Sequence, residues 1–200
     1  MKNLFKIMTL LVALSITFSS CDLERFPYDS IEQSQSFQTL KDAQAYSSGM
    51  YAGFRGRQYG IFTQSADIQS DLLNATLDFG NRNGSIYRWT VFLADDYTIR
   101  DSWNSYYNGI ANSNNFLSNV DKIVTTTDAD KAALEVIKGE AFFFRAYYYY
   151  SLVKIWAKDY ESNTASTDLG VPLVLNFDIT LKPARATVKA VYDQILKDLE

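Results

Sequence analysis

Apolar residues along most of this chain recur at intervals of three and four, the period of an α-helix, in five segments separated by clusters of Gly, Asn, Asp and Ser. In the first, about Leu40 to Phe54, Ala43, Tyr46, Met50 and Phe54 share one face, and Thr39 stands where an N-cap belongs. A weaker second pattern covers Ala66 to Leu77. Asn81 to Ser85 then reads as a polar turn, and the aromatic and β-branched residues from Ile86 to Leu93 predict a short extended piece. The third helix, Ile99 to Ile123, carries a stripe of Ile99, Trp103, Tyr107, Ile110, Leu117, Val120 and Ile123, with Asn104, Asn108, Asn112 and Asn115 largely off it.

The fourth helix, about Asp130 to Ala157, repeats Leu134, Ile137, Ala141, Phe144, Tyr148, Ser151 and Ile155 in alternating steps of three and four. Its second half adds Phe142, Phe143, Tyr147, Tyr149, Tyr150, Val153 and Trp156 on the remaining faces. A helix apolar nearly all round has to be enclosed on several sides, so this one is predicted to be the central helix. After polar residues 158–168 come a Gly170-Val171-Pro172 turn and a short apolar run, Leu173 to Phe177. Pro183 and Thr187 introduce the fifth helix, with Val188, Val191, Tyr192, Ile195 and Leu199 on one face. The pattern predicts a mainly α fold of antiparallel, tetratricopeptide-like helix pairs with long irregular loops, although no clean repeat of 34 residues is present.

The first 20 residues follow a different logic. Lys2 and Lys6 precede an apolar run, Ile7 to Phe18, which is the n-region and h-region of a secretory signal. The run is well short of the roughly 20 apolar residues that a spanning helix needs. Ser19 and Ser20 follow, then Cys21, at the place where bacterial lipoproteins are cut and acylated. Phe18 stands where the commonest lipobox has Leu, and the alternative is an ordinary signal peptide whose mature protein keeps a Cys near its start. The chain then divides into a signal peptide (1–20), a lipid-anchored linker (21–35) and a helical domain (36–200). That domain stops at Leu199-Glu200 inside an apolar helical repeat, which predicts the N-terminal portion of something longer.

Composition narrows the chemistry. Loss of Lys2 and Lys6 takes the net charge from −4 to −6, and no basic patch is present, so nucleic acid is excluded as a partner. There is no His, and the one Cys is the acylation candidate. Serine triads, Cys-His nucleophiles and most zinc sites are therefore out of reach, and no phosphate-cradling glycine loop appears. No metal, cofactor or catalytic residue is expected. Asp67 and Asp71 are one helical turn apart, and Asp95/Asp96 and Asp128/Asp130 are close in sequence, but the last two pairs stand just ahead of helices, which fits helix ends better than a glycosidase pair.

Three further features invite a functional reading. Glu140 and Arg145 are charges inside an apolar stretch, about 140 degrees apart on a helix, so each is expected to pair with a neighbouring helix and fix the packing. Tyr147 to Tyr150 point in four directions and so form no single platform. Ligand contacts are better sought in the polar segment 81–89, where Asn81 and Arg82 offer hydrogen bonds and Tyr87 and Trp89 offer aromatic faces.

The stretch Gly139-Glu140-Ala141-Phe142-Phe143-Phe144-Arg145-Ala146-Tyr147-Tyr148-Tyr149-Tyr150-Ser151-Leu152-Val153 resembles the hallmark helix of the SusD/RagB family of nutrient-binding outer-membrane lipoproteins. Ser36-Phe37 through Gly49-Met50-Tyr51, Trp103 through Asn114-Asn115-Phe116-Leu117, Gly170-Val171-Pro172-Leu173 and Arg185-Ala186-Thr187-Val188 resemble other segments of that family, in the same order. Members are usually more than twice this long. The resemblance implies a cell-surface protein held by its lipid on the outer membrane. It would capture a glycan, or in some branches a peptide, and act as a lid on a SusC-type TonB-dependent transporter. Such a protein binds and does not catalyse. A scaffold that binds only protein or peptide is the alternative.

Overall fold

The computed structural model of the chain describes residues 36–58, 61–75, 83–90, 93–94, 96–178 and 180–200, with the backbone alone at 61–63 and 97. The signal sequence, Cys21 and the linker read from the sequence lie outside these residues, as do Asn81 and Arg82.

Among the described residues six α-helices follow one another: α1 (Leu40–Gln58), α2 (Ile61–Gln69), α3 (Gly84–Tyr87), α4 (Tyr97–Asn119), α5 (Asp128–Trp156) and α6 (Val188–Leu199). The short strands β1 (Leu169–Pro172) and β2 (Arg185–Thr187) pair antiparallel between α5 and α6. The fold is mainly α, as the periodicity predicts. Local chemistry sets the helix starts. Thr127 Oγ1 accepts from Asp130 N while the Asp130 carboxylate accepts from Thr127 N, a reciprocal cap at the head of α5. Thr39 and Asp42 do the same for α1, and Thr187 caps α6.

Three predicted elements come out differently. The second helix was expected at 66–77 but occupies Ile61–Gln69. It stops because Asp71 adopts a left-handed φ of 61° and the Asp71 and Leu72 amides turn back to the carbonyls of Ile68 and Asp67, which leaves Leu72 and Leu73 exposed. The extended piece expected at 86–93 begins instead as the single helical turn α3, which buries Gly84 and Ile86. Gly170-Val171-Pro172, expected as a turn, is strand β1, because a partner strand fifteen residues later supplies its hydrogen bonds.

α5 is the central helix: α1, α4, α6 and β1 all pack on it. It runs antiparallel to α4, with Trp103 against Trp156 at one end and Asn114 against Arg145 at the other. It runs antiparallel to α6 too, where Arg145 meets Asp198. α4 and α5 approach so closely at Gly109 that a Cβ there would collide with the Tyr148 ring. Any side chain at 109 would push a ring that is itself buried.

Polar groups fix the helices relative to one another. Arg145 and Asp198 are 6% and 8% exposed. Arg145 Nε and Nη2 donate to the two Asp198 oxygens at 2.7 and 2.6 Å, and Nη1 donates to Asn114 Oδ1 at 2.9 Å. Gln194 Nε2 donates to Asp198 Oδ1 at 2.7 Å. The run after β1 has no ladder of its own and hangs on side chains instead. Tyr107 OH donates to Pro172 O at 2.7 Å, Asn114 Nδ2 to Val174 O at 2.8 Å, and Tyr149 OH both donates to Val174 O and accepts from Val174 N, each at 2.7 Å.

Removing one partner of a buried pair leaves an uncompensated charge, so Arg145→Ala is expected to cost about 3–5 kcal/mol in urea unfolding, while replacing Arg145 and Asp198 together by Met and Leu costs far less. Burial pushes the Tyr149 phenol from about 10 up to about 12. The folded state therefore holds that proton more tightly than the unfolded chain, so its contribution is complete below pH 10 and is lost as pH climbs towards 12. Melting temperatures measured between pH 9 and 12 should fall across that window, and less so in Tyr149→Phe.

Candidate functional site

A single helical turn carries the two ligand-contact candidates that the structure describes. α3 closes with the two bonds of a Schellman end: Trp89 N donates to Ile86 O at 3.2 Å and Thr90 N to Ser85 O at 3.1 Å. The left-handed position in such an end normally belongs to Gly, because a Cβ crowds the neighbouring carbonyl. Here it is held by Trp89, with φ 51°. A non-glycine residue in that region costs on the order of 1–3 kcal/mol. The indole is not spent on the core either, since Trp89 is 63% exposed. An indole displayed on a fixed turn, at a cost in local strain, suits stacking against a flat apolar face. Tyr87, two residues earlier, is half-buried.

The inner side of the same turn borders a cleft of about 430 Å³. Ile86, Ile99 and Trp156 supply its apolar surface, from α3, α4 and the end of α5. Two polar pairs also line it, Ser65 with Gln69 on α2 and Thr98 with Ser102 on α4. Each pair is spaced i, i+4, so each lies on one helix face with its members about 6 Å apart. No charged side chain is among the described residues of the lining.

Asp96 ties these parts together. Its Oδ1 accepts from Thr98 N at 2.8 Å as the N-cap of α4, and its Oδ2 accepts from Ser85 Oγ at 3.2 Å on α3. On the far wall, Trp156 packs edge-on against Trp103 at 5.4 Å and 81°. Its backbone carbonyl accepts from Arg185 Nη2 at 3.2 Å, and Arg185 also donates to the carbonyls of Leu169 and Gly170, so the β-ribbon braces the end of α5. Burial pushes the phenol of Tyr106, which packs against Trp156, above its usual value. Tyr106 is thus an uncharged group at neutral pH.

The remaining candidates fall elsewhere. Glu140 accepts from Ser47 Oγ at 2.6 Å and Tyr51 OH at 3.1 Å, both on α1. Arg145 faces α4 and α6, and its partner Asn114 is sixteen residues along α4 from Thr98, about 24 Å away by helical rise. Of the tyrosine run, Tyr147 donates to Gln58 Oε1, Tyr148 packs at Gly109, Tyr149 holds Val174, and Tyr150 is exposed with Lys154 over its ring. Asp71, Asp96, Asp128 and Asp130 all sit at helix ends. Among the described residues no three carboxylate, His or Cys groups gather as a metal set. No described helix is long and apolar enough to cross a membrane. The cleft residues Thr98, Ser102 and Trp156 were not singled out from sequence. Thr98 precedes the predicted start of its helix, and Trp156 reads as core. For Thr98 and Ser102 the one sequence signal is their i, i+4 spacing, and Trp156 carries none beyond the apolar pattern.

A family model described as SusD-like, starch-binding associating with outer membrane, matches residues 23–200. Among solved structures, a SusD superfamily protein from Bacteroides thetaiotaomicron is 29% identical, with a TM-score of 0.66 over 80% of this chain. A Bacteroides vulgatus protein assigned provisionally to sugar binding is 26% identical, with a TM-score of 0.64 over 82%. A SusD superfamily protein from Bacteroides vulgatus shares the fold at 20% identity, with a TM-score of 0.68 over 81%. The chain spans 36% of the length of each of these three structures. A search of curated proteins finds no significant match.

Asp96→Ala removes the cap of α4 together with the link to Ser85. It is expected to lower stability by about 1–2 kcal/mol and to speed amide exchange at Thr98 and in the α3 turn, as measured by hydrogen exchange.

Proposed function

The chain belongs to the SusD/RagB family, and from that premise we propose that it is a lipid-anchored surface protein that binds a nutrient oligosaccharide and passes it to a SusC-like TonB-dependent outer-membrane transporter. The family's description, starch-binding and associated with the outer membrane, supports the glycan and the membrane. The observation that carries the binding reading is Trp89, an exposed indole in a backbone position where Gly would be more stable. Pyranose rings present C–H faces that stack on such an indole, and the polar pairs of the adjoining cleft offer partners to hydroxyls. Asn81 and Arg82, a few positions before Trp89 in the sequence, are proposed as further contacts, as is Tyr87. Binding involves no covalent step. Cys21 is proposed as the lipid attachment site, with residues 1–20 as its signal peptide and the helical domain outside the cell.

A second reading, a helical scaffold that binds only protein or peptide, is favoured by the exposed Tyr150, Leu196 and Leu199 on α5 and α6.

Trp89→Gly separates function from folding. Gly relieves the left-handed strain, so the variant should melt at or above the wild-type temperature, yet bind glycan at least tenfold more weakly in isothermal titration. Equal affinity removes Trp89 from the site. Wild-type protein that binds none of a panel of oligosaccharides, yet co-purifies with a barrel transporter, identifies the scaffold instead. Palmitate labelling is expected in wild type and absent in Cys21→Ala; equal labelling of both refutes the anchor.

A further inference from the structure

One line of α5 runs against the usual pattern for a helix face turned to solvent, which is charged and polar. It steps about one turn at a time through Ala132, Val136, Gly139, Phe143, the half-buried Tyr147, Tyr150 and Lys154, and only the last is charged. Val136, Phe143 and Tyr150 are 63%, 47% and 42% exposed, although α1, α4, α6 and β1 pack on the other sides of the helix. Gly139 departs from expectation too. Gly is the poorest helix former after Pro, and a Cβ at 139 would meet nothing within 4 Å, so no described group requires Gly there.

We infer that this seam is a self-association surface: it takes α5 of a second copy of the chain, antiparallel, about a two-fold axis at Phe143. The spacing selects this occupant. The steps along the line are 4, 3, 4, 4, 3 and 4 residues, a palindrome centred on Phe143. A two-fold axis there sets Gly139 against the partner's Tyr147, Val136 against the partner's Tyr150 and Ala132 against the partner's Lys154, a smaller side chain facing a larger one each time. Gly139 thereby leaves room for a tyrosine ring and lets the two backbones approach. Charge fixes the direction. On the first half of α5, Asp128, Asp130, Glu135 and Glu140 outnumber Lys131 and Lys138, while Lys154 lies near its end and Lys158 just after. Antiparallel pairing brings acidic heads to basic tails and opposes the helix dipoles, whereas a parallel pair would set like against like.

The test uses the mature chain carrying Cys21→Ala, which removes acylation as a cause of association, and reads mass by sedimentation equilibrium. The expected result is a monomer–dimer equilibrium that Val136→Glu and Gly139→Gln each weaken at least about tenfold. Melting temperatures of dilute protein should hold or rise, since Val136 is exposed and position 139 is open. In the same cysteine-free background, Phe143→Cys is expected to form a disulfide-linked dimer on oxidation. Val136→Cys should cross-link with Tyr150→Cys and not with itself, because its two copies would lie about 21 Å apart by helical rise. A chain that is monomeric at every concentration overturns the proposal and leaves the seam to a different protein. Dimers that resist both substitutions overturn it as well, and so does Val136→Cys that cross-links to itself as readily as to Tyr150→Cys.

Discussion

The arrangement of helices in this protein depends on one buried charge. Arg145 sits buried in the largely apolar second half of α5, where an unpaired guanidinium would be prohibitively costly, so the surrounding elements have to deliver acceptors to it. α6 brings both oxygens of Asp198, and α4 brings the amide oxygen of Asn114. The distances allow little slack, which makes the ion pair a device for register more than for stability. Sliding α6 by one residue along α5 would unpair both charges at once. Gln194 on α6 then satisfies Asp198 further, and Asn114 reaches on to Val174.

That network has a mechanical consequence at the other end of α4. Asn114 anchors the helix near its C-terminus, and Gly109 lets it close onto Tyr148. From this contact α4 runs back to Thr98, and α5 runs forward to Trp156. The two cleft walls are thus the far ends of helices clamped in the core, and Arg185 braces the Trp156 end through the β-ribbon. A cleft built on such ends is positioned by the fold and needs no rearrangement to exist.

Around the cleft, two local rules are broken within ten residues of one another. Trp89 occupies a glycine position, and Thr98 buries a hydroxyl that nothing in the protein satisfies. Elsewhere helices begin at Thr or Asp caps and Arg145 is paired with Asp198, while Phe37 and Asp71 also hold left-handed φ values of 63° and 61°.

The sequence by itself determined the elements whose signal is periodic. Helices α1, α4, α5 and α6 and the central place of α5 were legible because burial of one face, or of all faces, imposes a period that survives without knowledge of the neighbours. Thr39 and Thr187 were legible at their helix starts because cap and helix are a few residues apart, whereas Thr127 at the head of α5 was not. Tertiary structure decided the rest. Gly170-Val171-Pro172 looks like a turn and becomes a strand only because Arg185 to Thr187 return to pair with it. α2 ends at Gln69 because Asp71 takes a left-handed conformation, which no spacing of leucines reveals. The partners of Arg145 lie 31 and 53 residues away, and the cleft draws on α2, α3, α4 and α5, so neither leaves a mark in any short window. Trp89 is visible as an aromatic in a polar segment; its left-handed backbone and the burial of the Thr98 hydroxyl exist only in three dimensions, because strain and desolvation are properties of the packed chain.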